Sequence, residues 1–113
     1  MIPVIKEAIQ KELVDAWFLE WEQLEQRIHG AHDTRDGSAK ALMEEGIELF
    51  EKLIKEASNV KKVEFTNTYE VMPINGMERL QFIKTKPGQY ACYRQLDELF
   101  KETKKRCARL RLK

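Results

Sequence analysis

The chain has 113 residues, of which 42% are hydrophobic and 35% are charged, and its formal net charge at pH 7 is +1. This length is typical of one domain whose core is large enough to fold without disulfides or metals, and the hydrophobic content excludes a disordered polypeptide. With only five glycines and three prolines, the composition favours amphipathic helices over a loop-rich fold.

The N-terminal segment lacks the features of a targeting sequence. Lys6, Glu7, Lys11 and Glu12 interrupt its apolar residues, so we do not expect it to act as a signal peptide. No stretch approaches the roughly 18 to 20 apolar residues that cross a bilayer. The sequence therefore predicts a soluble cytoplasmic protein with no membrane contact.

Residues 3–29 form the first predicted helix. Pro3 suits the first helical turn, where the missing N–H has no partner, and Gly30 suits the left-handed position that ends a helix. Apolar residues recur at spacings of three and four, which indicates one amphipathic helix. These residues are Ile5, Ile9, Leu13, Trp17, Trp21, Leu24 and Ile28.

A second helix is predicted over residues 36–58, and a connection follows over residues 58–73. The connection has no helical period and contains many β-branched and aromatic residues. Because a long free connection is uncommon in a small domain, we expect it to lie extended along the helices. Phe65 and Tyr69 are then expected to pack inward.

A third, short helix is predicted at residues 76–85. Asn75 is a favoured N-cap residue, and Glu78 follows three positions later, which is the spacing of a capping box. Met77, Leu80, Phe82 and Ile83 are its expected inward residues.

Pro87 predicts the start of a last helix over residues 87–110. Its acid-first ion pairs at four-residue spacing are Asp97 with Lys101 and Glu102 with Arg106. Cys92 and Cys107 also lie in it, roughly 22 Å apart at about 1.5 Å per residue, so they cannot form a disulfide with each other. Two reduced thiols are typical of a cytoplasmic protein.

These elements predict an all-α fold. We expect a single-domain bundle, residues 1–113, of three long helices and one short helix, with an extended connection at about 58–73.

Charge is segregated along the chain. Residues 1–58 hold thirteen acidic and seven basic residues, for a net charge of −6, whereas residues 59–113 hold six acidic and thirteen basic residues, for +7. One interpretation is that the acidic helices pack beside the basic one. The other is a partner site, in which basic side chains contact the phosphates of DNA or RNA or, as a further alternative, an acidic protein or a membrane surface. The candidates are Lys101, Lys104, Lys105, Arg106, Arg109 and Arg111.

The first predicted helix has an apolar face wider than the roughly 100° stripe that one bundle contact needs. Large side chains left at a surface are the usual anchors of protein interfaces. We therefore expect part of the edge formed by Val14, Phe18 and Trp21 to be accessible, and to pair with a second copy or receive a partner helix. Alternatively, the 58–73 connection hides this edge.

Signals for chemistry are few. His29, His32 and Asp33 surround a glycine turn without a third soft ligand nearby, which is a weak zinc pattern. No nucleophile paired with a base, phosphate loop or inward Glu-x-x-His set is evident. We predict no metal, cofactor or small-molecule substrate. The predicted function is a non-enzymatic interaction or adaptor module with an unknown protein partner, and the alternative is a nucleic-acid-associated protein.

Residues 72–102 contain three series, Pro-x-Asn, Glu-Arg-Leu-x-Phe-Ile and Gln-Leu-x-Glu-Leu-Phe. The positions are Pro73, Asn75, Glu78, Arg79, Leu80, Phe82, Ile83, Gln95, Leu96, Glu98, Leu99 and Phe100, with Pro87 and Tyr90 between them. This pattern resembles the C-terminal signature of the YpoC-like proteins of Bacillus and its relatives. The resemblance implies a small cytoplasmic helical protein. It also implies genes near those for replication initiation, base-excision repair and cell-wall synthesis, which slightly favours a nucleic-acid or replication partner without adding a catalytic residue.

Overall fold

The computed structural model describes all 113 residues and contains four α-helices and a short 3-10 turn, without any strand. The turn covers Lys6–Ile9, and the helices are α1 (Lys11–Thr34), α2 (Ala39–Ser58), α3 (Gly76–Thr85) and α4 (Tyr90–Arg111). The predicted all-α bundle of three long helices and one short helix is confirmed. None of the helices combines the length and apolarity needed to cross a membrane.

The helices share one hydrophobic core of 25 buried residues. At its centre, the Trp21 ring of α1 stacks on the Phe100 ring of α4, with ring centres 4.3 Å apart. Phe50 of α2 meets Phe100 edge-on at 5.2 Å. The three long helices therefore converge on one aromatic cluster, an arrangement that adds to the stabilisation from buried area.

α1 differs from the predicted first helix at both ends. Gln10, with φ −57° and ψ 148°, separates the 3-10 turn from α1. The prediction that Gly30 ends the helix is wrong, because α1 continues to Thr34 and Arg35 takes the left-handed conformation, with φ 54°. Buried contacts explain the extension: Ala31 lies in the core one residue beyond Gly30.

The second and last helices begin later than predicted. Asp36 accepts hydrogen bonds from the backbone N–H and the hydroxyl of Ser38, at 2.9 and 2.6 Å, and so closes a turn before α2 begins at Ala39. Pro87 lies in the turn that precedes Tyr90, where α4 begins.

The N-terminal segment runs beside the connection between α2 and α3. Ile2 forms a parallel β-bridge with Tyr69, in which the Ile2 N–H donates to the Thr68 carbonyl at 2.8 Å and the Glu70 N–H donates to the Ile2 carbonyl at 2.9 Å. Pro3 therefore lies in an extended segment, and its predicted place in the first helical turn is wrong.

The connection packs as predicted at one of its two aromatic residues. Tyr69 is buried, and its hydroxyl accepts a hydrogen bond from the Glu64 N–H at 2.9 Å. The expectation that Phe65 packs inward is wrong, since Phe65 is 67% exposed. The Asn67 N–H donates to the Glu64 carbonyl at 3.1 Å, which closes a turn with Phe65 in its exposed middle.

α3 begins where predicted but by a different mechanism. Asn75 is left-handed, with φ 56° and ψ 28°, and its side chain makes no capping hydrogen bond, so the predicted capping box with Glu78 is wrong. Asparagine is one of the few residues that adopts this conformation readily. Leu80 and Ile83 are buried as expected, but Phe82 is 53% exposed.

One of the two predicted ion pairs of α4 forms. Lys101 lies 2.8 Å from Asp97. Glu102 instead pairs with Arg79 of α3 at 2.7 Å, and Arg106 points to a different group, described below. The ion pair of Glu102 therefore ties α3 to α4 rather than supporting α4 alone.

Candidate functional site

α1 and α4 lie antiparallel, so the start of α1 faces the end of α4. The Asp15 carboxylate is 4.0 Å from the Lys104 ammonium, and Arg111 donates to the Ile9 carbonyl at 2.7 Å. An open groove of about 550 Å³ runs along this helix pair, and we call it the α1/α4 groove. Its lining residues are Lys11, Asp15, Phe18, Lys101, Lys104, Lys105, Ala108 and Arg111.

Helical periodicity explains why these residues share one groove. Residues three and four positions apart lie on the same face of a helix, and the lining residues of both walls follow this spacing. The α4 wall consists of Lys101, Lys104, Lys105, Ala108 and Arg111. The adjacent face of α4 enters the core through Phe100, Thr103, Cys107 and Leu110.

The groove carries five cations and one carboxylate, for a net charge of +4. The Lys11 ammonium lies 2.6 Å from the Asp15 carboxylate. This hydrogen bond, together with the charges of Lys104 and Arg111, lowers the pKa of Asp15 below its usual 3.8. Asp15 is therefore ionised at neutral pH, and it neutralises only a small part of the surrounding positive charge.

Phe18 provides the large apolar surface of the groove. Its ring is half-buried, and the Lys104 ammonium lies 4.3 Å from the ring centre, which is a cation–π contact. Ala108 is exposed on the α4 wall. The long lysine side chains add methylene groups below their charged ends, so the groove combines a carbon-lined floor with a cationic rim.

The predicted interface edge is accessible only at Phe18. Part of the edge is accessible, as expected, but Val14 and Trp21 are 3% and 0% exposed, so their predicted role as partner-binding residues is wrong. Trp21 is covered by α4, where Phe100 stacks on it. The alternative, that the 58–73 connection covers this edge, is also wrong at Phe18, since no residue of that connection lines the groove.

The six basic residues predicted to contact nucleic acid do not form one set. Four of them line the groove: Lys101, Lys104, Lys105 and Arg111. Arg106 instead donates from Nε to the carbonyl oxygen of Glu70 and so holds the connection onto α4. Arg109 is exposed and lies outside the groove. Arg111 also binds the Ile9 carbonyl and Lys101 pairs with the buried Asp97, so three of the six basic side chains support the fold.

Three residues of the groove were not predicted from the sequence: Lys11, Asp15 and Ala108. Their place in the groove depends on which helices pack side by side, and no local pattern specifies that. The four-residue spacing of Lys11 and Asp15 was the available signal for their ion pair, although the reversed order of charges made it a less favourable one.

The histidines lie near the other end of the α1/α4 pair. His29 Nδ1 is 3.4 Å from the Asp33 carboxylate, whereas the His32 ring stacks on Tyr93, with ring centres 5.7 Å apart. The Tyr93 hydroxyl donates to Glu25. No three His, Cys, Asp or Glu side chains converge in a way that could hold a metal ion.

Both cysteines are free and buried. Burial raises the pKa of each thiol, to about 11 for Cys107. At neutral pH both are protonated thiols enclosed by the core, which is the unreactive form of cysteine.

The comparison with protein families covers nearly the whole fold. The model of the YpoC-like protein family matches residues 11–113, which include all four helices and every residue of the groove. The chain belongs to the YpoC-like family. This membership confirms the resemblance that residues 72–102 suggested.

A match to an individual protein covers only part of the chain. The chain is similar to the protein YpoC of Bacillus subtilis (strain 168), described as uncharacterised, with 55% identity over 38 residues. The match covers 34% of this chain and 23% of the relative, less than a quarter of that protein's length. No solved structure matches the chain.

Proposed function

We propose that this protein is a non-enzymatic interaction module whose α1/α4 groove receives an acidic segment of a partner protein. The observation that carries the proposal is the half-buried Phe18 ring inside a groove of net charge +4. Aromatic side chains in partly desolvated sites are typical binding anchors. Complementary charge around such an anchor steers the partner and fixes its position.

The chemistry of the groove supports binding rather than catalysis. Its one carboxylate, Asp15, has a lowered pKa because of Lys11, so it is a weak base and is not protonated at neutral pH. A general acid or base works best when its pKa is near the operating pH. The buried, protonated thiols of Cys92 and Cys107 offer no nucleophile, and such free thiols favour the cytoplasm as the compartment.

Nucleic acid is the alternative ligand, and the exposed cations of α4 favour it. Lys105 and Arg109 are exposed and form no ion pair. Against this alternative, the groove has one aromatic ring, Phe18, whereas proteins that bind single strands stack successive bases on several aromatic side chains. Arg106 and Arg111 bind backbone carbonyls of this chain and are less available for phosphates.

Site-directed photocrosslinking in native cells tests the proposal. A photoreactive benzoylphenylalanine replaces Ala108 in the groove or, as a matched control, Ala91, which is exposed on the same helix outside the groove. We expect a discrete polypeptide adduct from position 108 that is absent from position 91. We also expect the Lys105→Glu substitution to remove it.

Two outcomes would contradict the proposal. Equal adducts from both positions would mean that the groove has no special role. Adducts from position 108 that disappear after nuclease treatment would instead support the nucleic-acid alternative, and a binding titration at two salt concentrations would then show a slope near −0.9 in log K against log salt per phosphate contact on duplex DNA.

A further inference from the structure

We infer that the segment received by the α1/α4 groove is an amphipathic α-helix that carries carboxylates on both flanks of one large apolar side chain. This inference rests on the proposed function and specifies the form of the partner.

The walls of the groove determine which backbone conformation can dock. Both walls are α-helices, whose backbone N–H and C=O groups are paired within each helix except in its terminal turns. An extended peptide binds by adding a strand to a sheet edge, and this structure has no strand to offer. A polyproline segment needs a groove lined by several aromatic rings, and this groove has one. A helix that docks between two helices needs neither a sheet edge nor several aromatic rings.

The dimensions of the groove match a short helix. The α4 wall runs from Lys101 to Arg111, which is about 15 Å at 1.5 Å per residue, or nearly three helical turns. Two antiparallel helices leave a trough along their line of contact, and a third helix can place a row of side chains in it. The apolar contact in that trough is Phe18, and the small Ala108 side chain leaves space beside the α4 backbone.

The positive charges on the two walls indicate where the incoming helix carries its carboxylates. Lys11 lies on the α1 wall, and Lys101, Lys104 and Lys105 lie on the α4 wall. Carboxylates on both flanks of the incoming apolar residue would therefore each find an ammonium group. Lys104 now covers the Phe18 ring at 4.3 Å, so an entering apolar side chain would displace this ammonium and leave it free to bind a carboxylate.

The Asp15 carboxylate occupies a position that a carboxylate of the partner would take. It contacts Lys11 at 2.6 Å and lies 4.0 Å from Lys104, so it competes with an incoming acid for two cations. The Asp15→Asn substitution removes this competitor without changing the size of the side chain. We expect it to strengthen binding of an acidic helix several-fold, whereas a purely structural role for Asp15 would give no gain.

Three designed peptides test the inference, each about 16 residues long because shorter helices are marginal in water. The first is an Ala-based helix with one leucine flanked by glutamates at three- and four-residue spacing. The second replaces that leucine with alanine, and the third places a proline in the middle. Binding is measured by fluorescence anisotropy against the full chain and against its Phe18→Ala, Lys105→Glu and Asp15→Asn variants, after each variant is shown to be folded by circular dichroism.

We expect the first peptide to bind best and the loss of its leucine to weaken binding to the natural chain about tenfold. On Phe18→Ala the two peptides should bind alike, because the ring that the leucine contacts is gone. Lys105→Glu should weaken both. If the proline peptide binds as well as the first, the helical form of the partner is contradicted.

Failure of the inference can be distinguished from failure of the proposed function. If position 108 forms polypeptide adducts while the peptides show no preference for leucine or for a helix, the groove is an interaction site and the inference alone is wrong. If position 108 forms no adduct and no peptide binds, the proposed function fails with it.

Discussion

Trp21 of α1 donates its indole N–H to Oδ1 of Asp97 in α4, at 3.0 Å. Both side chains are buried, 0% and 4% exposed. The second carboxylate oxygen of Asp97 lies 2.8 Å from Lys101, which belongs to the groove wall. One buried carboxylate thus joins the aromatic core to the cationic rim, and the site depends on how α1 and α4 pack.

The contact between Trp21 and Asp97 can be measured with two substitutions. Asp97→Ala leaves a buried indole N–H without an acceptor, which we expect to cost about 1 to 3 kcal/mol of unfolding free energy. Asp97→Asn keeps an acceptor oxygen for Trp21 but replaces the charged oxygen that accepts from Lys101 with an amide NH₂. Because Lys101 is half-exposed, that pair contributes little, and the cost should be under about 1 kcal/mol. Urea unfolding of both variants gives the comparison. Equal costs would show that the hydrogen bond to Trp21 contributes nothing.

At Gly46, α2 lies directly against side chains of α1 and α4. A Cβ there would lie 2.9 Å from the Trp21 ring and 3.0 Å from the Leu96 side chain. Gly46→Ala gains about 0.5 to 1 kcal/mol of helix propensity but overpacks a ring fixed by Asp97 and Phe100, at about 1 to 3 kcal/mol. We expect a net loss of stability in thermal melts.

Gly30 is the matched control for that substitution. It lies inside α1, and a Cβ there would meet nothing within 4 Å. Gly30→Ala should therefore stabilise the protein by about 0.5 to 1 kcal/mol. If both alanine variants changed stability in the same direction, the close approach at Gly46 would not be the cause.

The pair of Arg79 and Glu102 predicts a pH dependence of stability. Arg79 donates two hydrogen bonds to Glu102, at 3.0 and 2.7 Å, and these lower the pKa of Glu102 below its usual 4.5. The Glu102 carboxylate therefore binds a proton less readily in the folded state than in the unfolded state. The stability that the ion pair contributes is fully present above pH 4.5 and is lost as the pH falls through the lowered pKa of Glu102.

Glu102→Gln should accordingly destabilise the protein at pH 7, by no more than about 1 kcal/mol because both groups are partly exposed. The difference from the natural chain should shrink as the pH falls to about 3. Urea unfolding at pH 7 and at about pH 3 measures this difference in stability, with Glu44→Gln on the exposed face of α2 as a control. A difference that stays constant with pH would contradict the assignment.

Arg106 and Arg109 carry the same charge in different roles. Arg106→Ala removes the hydrogen bond to the Glu70 carbonyl, and we expect a cost of about 1 to 2 kcal/mol. Arg109 is exposed without a partner, so Arg109→Ala should change stability by less than about 0.5 kcal/mol. Chemical denaturation compares them. If Arg106→Ala is as stable as Arg109→Ala, the connection does not depend on that bond.

Much of the fold follows from local patterns. The spacing of Trp17, Trp21 and Ile28 predicts α1, and similar spacing predicts α2 and α4, because a helix must bury one face. Boundaries were predicted less well, since several residues can end a helix. Glycine commonly ends a helix, so Gly30 was a reasonable candidate for the end of α1. Burial of Ala31 and stacking of His32 on Tyr93 instead keep α1 helical for one more turn.

The candidate site could be predicted only in part because it is shared by two helices. Phe18 and four of the six basic residues were identified separately, as two competing sites. Only the antiparallel packing of α1 on α4 places Lys104 over the Phe18 ring. The same packing buries Trp21, and the connection that lies on α4 gives Arg106 its carbonyl acceptor. No pattern within one helix contains that information.

The central claim, that the α1/α4 groove receives an acidic polypeptide, is tested most directly by mapping a binding surface in solution. The ¹⁵N-labelled chain is titrated with the leucine-containing acidic helix, and backbone amide shifts are followed by NMR. We predict that the largest changes fall on Lys11, Phe18, Lys104 and Ala108 and saturate together. Changes centred instead on the exposed Ile74 and Phe82 of the α3 region, with the groove unaffected, would contradict the account.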